Sequence, residues 1–137
     1  MKRWGMAVVV SAALLVTVGC SGSGSSGSVR NVTILAESMS YNPKEFTLTK
    51  GEAVKLTFTN KDSQLHDFSI EKIAVKAKST HNDGHDAGGK NPDLHLSADA
   101  SKSGTLEFTP TEPGTYTYFC TVAGHKEAGM SGRLIVK

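Results

Sequence analysis

The sequence predicts an all-β fold: a Greek-key β-sandwich of two sheets with one long polar connection. Three observations carry that expectation. Short segments alternate apolar and polar residues with a period of two, as in "EAVKLTFTN", where Val54, Leu56 and Phe58 share one face and Lys55, Thr57 and Thr59 the other. Turn-forming residues punctuate the chain at Asn42-Pro43, Lys50-Gly51, Asn60-Lys61-Asp62 and Glu112-Pro113-Gly114. No stretch keeps a long apolar period of 3.6 residues, so about seven short strands with frequent turns form the simplest parsing.

In chain order, the first segment lies outside that sandwich. Lys2 and Arg3 precede an apolar run that stops at Gly19-Cys20. The run is too short for a membrane-spanning helix and has the flanks of a secretory signal. A small residue directly before a cysteine resembles a bacterial lipoprotein cleavage site, although Thr17 stands where such sites usually carry leucine. Residues 1–19 are therefore read as a lipoprotein-type signal peptide, and Cys20 as the lipidated residue. Residues 20–28 are the lipidated cysteine and a Gly/Ser linker, "SGSGSSGS", which has nothing to bury. Residues 29–137 form the folded domain. This arrangement places the protein outside the cytoplasm, held at a cell membrane by its lipid and facing the periplasm or the cell exterior.

Within the domain, "VRNVTILAES" supplies the β-branched Val32, Thr33 and Ile34. "EFTLT" places Phe46 and Leu48 on one side, and "HDFSIEKIAV" reads as a further strand. "GTLEFTP" pairs Leu106 with Phe108. "GTYTYFCTV" alternates Tyr116, Tyr118, Cys120 and Val122 against threonines, and "GRLIVK" closes the chain. Residues 76–100, rich in Gly, Asp and His, are the expected long connection, with room for a short helix or strand inside it.

Charge narrows the partners. The formal net charge of +2 is accounted for by Lys2 and Arg3, so the rest carries 13 basic and 13 acidic residues. With no basic patch and few aromatics among the lysines, nucleic acid is excluded as a partner. The chain has two cysteines. If Cys20 carries lipid, Cys120 has no partner in an oxidising compartment, where a spare thiol invites wrong disulfides or oxidation. Burial or a bond to metal would explain it.

The residues after Cys120 favour metal. "CTVAGHKEAGM" sets Cys120, His125 and Met130 in a Cys-x4-His-x4-Met pattern. A thiolate suits Cu(I), imidazole also suits Cu(II), and a thioether suits a long axial bond. Two imidazoles, one thiolate and a distant thioether make a site that neither oxidation state strongly prefers, so one electron can pass with little ligand movement. Gly124 and Gly129, each directly before a proposed ligand, permit a tight loop. The second imidazole comes from His66, His81, His85 or His95. His66 is chosen because it opens an apolar strand, and a strand end holds a ligand more rigidly than the "HNDGHD" loop.

Together, "SYNPKEFTLTKGEAVKLTFTNKDSQLHDF" and "PGTYTYFCTVAGHKEAGMSGRLIV" make the chain resemble the cupredoxins, the small blue (type 1) copper proteins such as plastocyanin, azurin, auracyanin and halocyanin. The resemblance spans residues 32–137 and implies a Greek-key sandwich, one copper ion and one-electron transfer. It implies copper ligation by His66, Cys120, His125 and Met130. It also implies that the ring edge of His125 is the electron's exit, on a small surface kept flat by Ala123, Gly124, Ala128 and Gly129. The chain departs from the family at Asp67, where many relatives carry an asparagine whose amide ties the ligand loops together. An ionised aspartate accepts hydrogen bonds but cannot donate them.

These readings point to a monomeric, membrane-tethered electron carrier that docks briefly with larger redox proteins. Copper handling, as a scavenger or chaperone using the same site, is the alternative. An enzyme is set aside, since a binuclear oxidase-type copper centre needs two nearby cysteines and only Cys120 is available. His81, His85 and His95, with Asp83 and Asp86, are candidates for a weak second metal site, although a solvated polar loop accounts for them as well.

Overall fold

The computed structural model describes residues 27–81 and 87–137. They build ten strands: β1 (Arg30–Glu37), β2 (Ser40–Asn42), β3 (Glu45–Leu48), β4 (Val54–Asn60), β5 (His66–Ile70), β6 (Val75–His81), β7 (Leu94–Ala98), β8 (Ser103–Pro110), β9 (Gly114–Phe119) and β10 (Ser131–Val136). Two five-stranded sheets result, in the orders β2-β1-β4-β8-β6 and β3-β10-β9-β5-β7. The all-β sandwich is as expected. Among the described residues, no helix is long and apolar enough to cross a membrane.

Alternation decides which side chains enter the core. β4 buries Val54, Leu56 and Phe58 while Lys55 stays exposed. Leu106 and Phe108 on β8 are buried the same way, and β5 adds Phe68 and Ile70. Each large side chain so buried stabilises the fold by about 1.5–3 kcal/mol. Tyr118 joins the sheets: its ring lies near those of Tyr41, Phe46 and Phe68, with centroids 4.9–5.7 Å apart. Its cross-strand neighbour is Gly132, and a Cβ there would come within 2.2 Å of the Tyr118 ring. Only glycine leaves room for that aromatic cluster.

Three stretches differ from the sequence reading. The stretch "HDFSIEKIAV" is two strands in different sheets, β5 and the start of β6, joined by a turn at residues 71–74. The long connection is shorter than expected, because β6 and β7 occupy most of its two ends. β6 is a polar edge strand whose pairing with β8 is irregular between Lys76 and Ser79, so it has no clean alternation to read. β7 buries Leu94, Leu96 and Ala98, a true alternation obscured by His95 and by the Gly/Asp-rich residues before it.

From β4 onward the chain changes sheet at each connection except one. The exception is β9 to β10, adjacent antiparallel strands whose pairing begins at Phe119–Ser131. Residues 120–130 are thus a loop with both ends fixed by a ladder. Beside β9 in the same sheet lies β5, whose first residue is His66. The topology alone brings the Cys120 loop and His66 to one end of one sheet.

Candidate metal centre

His66, Cys120 and His125 offer ligand atoms that all lie within 4.8 Å of one another. Cys120 Sγ is 3.4 Å from His125 Nδ1 and 3.9 Å from His66 Nδ1. Metal–nitrogen and metal–sulfur bonds of about 2.0–2.3 Å in a trigonal plane would set such atoms about 3.6–3.8 Å apart, so the three donors fit one ion. Their side chains are 0 %, 1 % and 8 % exposed for His66, Cys120 and His125, which leaves the His125 ring as the point nearest solvent.

The loop is held by its own backbone. His125 N–H donates to Val122 O, Met130 N–H donates to His125 O at 3.0 Å, and Cys120 N–H donates to Met130 O at 3.2 Å. Met130 is therefore tied by main-chain bonds to both other loop donors, and its side chain is fully buried. Gly124 and Gly129 have φ of +83° and +96°, the left-handed region that a side chain disfavours. That gives the glycines noted in the sequence a conformational reason.

His66 is set by different means. Asn60, fully buried, donates from Nδ2 to the carbonyls of Gln64, Ala98 and Asp99, and its Oδ1 accepts from Asp62 N–H. This pins the turn before β5. Asp62 in turn accepts from the Ser38 and Met39 amides and from His66 Nε2–H, the last at 2.9 Å. The Ser38 amide, with further help from His66, holds the Asp62 carboxyl below the usual carboxylate range. An ionised Asp62 obliges His66 Nε2 to be the protonated nitrogen, which leaves the Nδ1 lone pair facing Cys120. A carboxylate behind a ligating histidine fixes its tautomer and raises its basicity.

Asp67 joins the two arms. Its carboxylate accepts from Thr121 N–H at 3.0 Å, Thr121 Oγ1–H at 2.7 Å and Ser69 Oγ–H at 2.8 Å. Asp67 thus ties the arms as an acceptor: the carboxylate receives what the loop donates. Tyr41 O–H donates to the Asp67 carbonyl from the opposite sheet.

Protonation follows from burial. Burial first, then the Asp67 charge, push the Cys120 thiol up to about 11, while hydrogen bonds from the Asp67 and Val122 backbone oppose the rise. Thiolate and carboxylate repel each other here, and a bound cation relieves that repulsion. Burial, and after it the nearby His66 ring, hold His125 below its ordinary value, which favours a neutral ring available as a ligand.

Of the other expected residues, Cys20 and His85 lie outside the described residues, as do Asp83 and Asp86. His81 ends β6, and His95 Nδ1 shares a 2.8 Å hydrogen bond with Ser69 Oγ, on the path to Asp67. Among the described residues, no second group of three such donors converges. Sequence reasoning missed Asp62. Its signal was present as an acid four residues before His66 in the same turn.

Auracyanin-A of Chloroflexus aurantiacus is 31 % identical over 151 residues, covering 93 % of this chain and 93 % of the relative. The chloroplastic plastocyanin minor isoform of Arabidopsis thaliana is 30 % identical over 139 residues, covering 100 % of this chain and 71 % of the relative. Among solved structures, auracyanin B superposes with a TM-score of 0.62 at 25 % identity, over 79 % of this chain and 88 % of that one. Residues 10–136 match the Cupredoxin-like domain, and the chain belongs to that family.

Proposed function

We propose that the protein carries single electrons through one copper ion held in a type 1 site by His66, Cys120, His125 and Met130. The observation that carries this reading is the convergence of two imidazole nitrogens and one buried thiol within 4.8 Å. Copper, when bound, supplies the one-electron Cu(I)/Cu(II) couple. The chain's part is to hold the ligands still and exclude water. Asp62 orients the His66 ring, the Met130 backbone closes the loop onto Cys120 and His125, and Asp67 ties that loop to β5. Ligands held by such bonds move little between charge states, which keeps the reorganisation barrier low.

His125 gives the electron a way out. It is the least buried of the four residues, and Ala123, Gly124, Ala128 and Gly129 beside it are exposed. A surface of small residues suits brief contact with a larger redox protein, for which small interfaces are usual. Lipidation of Cys20 and the Gly/Ser linker would keep the monomeric domain near membrane-bound partners, outside the cytoplasm. Replacing Cys20 with serine then moves the protein from the membrane fraction to the soluble one.

The central test is the absorption and paramagnetic-resonance spectrum of the chain loaded with Cu(II). An intense visible thiolate-to-copper band with a narrow copper hyperfine splitting is expected. A colourless protein whose Cys120 still reacts with alkylating reagents overturns the reading. Copper handling differs in one measurable way: a chaperone releases its ion to a chelator quickly, whereas a carrier retains it through many redox cycles.

A further inference from the structure

Among the described residues, three non-glycine residues hold a left-handed backbone: Ser38 (φ 53°), Met39 (φ 59°) and Ser101 (φ 58°). None is the asparagine or aspartate that tolerates this region best, and a Cβ makes it costly. All three donate their backbone N–H to one residue, Asp62. Ser38 reaches Oδ1 at 2.9 Å, Met39 reaches Oδ2 at 3.3 Å, and Ser101 reaches the main-chain carbonyl at 3.3 Å. Asp62 is also the residue whose Oδ2 accepts from His66 Nε2–H.

The convergence joins two turns that are far apart in sequence. Ser38 and Met39 are the two-residue loop between β1 and β2, closed by the Glu37–Ser40 pair. Such a loop needs positive φ at both positions and is built best from Asn-Gly. Ser101 lies in the turn between β7 and β8, where Lys102 N–H donates to Asp99 O. Hairpin geometry accounts for the φ values at 38 and 39, but not for the choice of Ser-Met, and it leaves Ser101 unexplained. Strained backbone persists where surrounding bonds over-determine it, and such places gather near functional sites. Here the bonds meet on the carboxylate behind His66.

Little freedom is left to Asp62. Its own N–H donates to Asn60 Oδ1 at 3.0 Å, so its amide, its carbonyl and both carboxylate oxygens all have partners. A bound ion whose charge changes by one unit pulls differently on the His66 ring in its two states. The ring then recoils only as far as its carboxylate partner yields.

We infer that Ser38, Met39 and Ser101 are positioning residues for electron transfer: their left-handed amides clamp Asp62, and Asp62 holds the His66 ring still. The inference deepens the carrier reading and rests on His66 as a ligand. The clamp is reciprocal. The bonds that fix Asp62 also hold both turns in a conformation their side chains disfavour.

The experiment uses the full chain, with and without copper. Ser38 and Ser101 are exposed and Met39 is partly buried, so changes there act on the turns rather than on the core. The pair Ser38→Val/Met39→Val resists positive φ, because branching at Cβ makes that region a true outlier. In the copper-free chain it should speed exchange of the His66 Nε2 proton with water about tenfold, read by nitrogen-15 resonance. In the copper-loaded chain it should speed release of Cu(II) to excess EDTA by about 3–10-fold. Added to Asp62→Ala, the same pair should change that release by less than about twofold, since the clamp then has nothing to grip. The pair Ser38→Asn/Met39→Gly suits a left-handed turn and keeps both amides, so it should restore slow exchange and slow release. Ser101→Val should act in the same direction as the valine pair, and it supplies the same cycle with Asp62→Ala if that pair fails to fold.

Equal acceleration of copper release by the valines with and without Asp62 overturns the proposal, because the turns would then act through general stability. So does a His66 proton that ignores the valines in a chain that still turns blue, a result that leaves the carrier intact. A chain that never turns blue sinks the carrier reading itself, and with it the role given to the clamp.

Discussion

The two arms that meet at the metal centre reach the same point by opposite means. The Cys120–Met130 loop is local: three candidate ligands lie on one stretch, its ends are closed by a Cys120–Met130 main-chain bond, and two left-handed glycines bend it. The His66 arm is remote. Its ring is placed by Asn60, which reaches across to β7, and by Asp62, which is itself held by the Ser38 and Met39 amides after β1. Local geometry can be carried by spacing and glycine. Remote geometry needs buried polar side chains, each of which has to find all its partners. Asp67 is where the two strategies join.

The comparison can be broken at its centre first. Cys120→Ala removes the thiolate of the His66–Cys120–His125 cluster, and the visible band should vanish entirely; a variant that stays blue would refute the ligand set. Next in size is the joint between the arms. Asp67→Ala strands the Thr121 amide and hydroxyl, while the Ser69 hydroxyl keeps its bond to His95, a loss of about 2–4 kcal/mol in chemical denaturation of the copper-free protein. Asp67→Asn should cost less stability and raise the reduction potential, on the order of 100 mV, because a negative charge that favours the oxidised ion has gone.

Smaller effects sharpen the contrast between the arms. Met130→Gln should keep copper bound and lower the potential, since an amide oxygen favours Cu(II) more than a thioether does; complete loss of copper would contradict an axial role. Asp62→Ala frees the His66 ring and should weaken copper binding by about 10–100-fold, measured by competition with a chelator, while the loop arm keeps its backbone bonds. The smallest effect is in pH. The Cys120 thiol titrates at about 11 in the native copper-free protein against an ordinary value of 9.0. The unfolded chain therefore loses its proton first, and stability is full below pH 9 and declines as pH rises toward 11, by up to about 2–3 kcal/mol. The copper-bound protein should show no such decline, because its thiolate is already formed.

This contrast also explains how much was legible in the sequence. The alternation in β4 and β8 and the Cys-x4-His-x4-Met spacing are local signals, and each names its residues directly. His66 was reachable because a strand start is recognisable. Asp62 and Ser69 were not singled out, since their importance depends on which chain segments come together in space. The register of β6 was hidden for the same reason: a polar edge strand with an irregular ladder owes its conformation to β8 rather than to its own pattern. In β7 the signal existed, in Leu94, Leu96 and Ala98, and was masked by the composition of the preceding stretch.

The closure of residues 120–130 makes that loop a ruler. Its two ends are nailed to paired strands, so one residue inserted between His125 and Met130 would find no slack in the sandwich to absorb it. The insertion would have to bulge beside the imidazole, changing colour and midpoint potential before melting temperature. The protein's spectroscopic identity can therefore be retuned by editing a single short span, with the strands beneath it serving as an indifferent chassis.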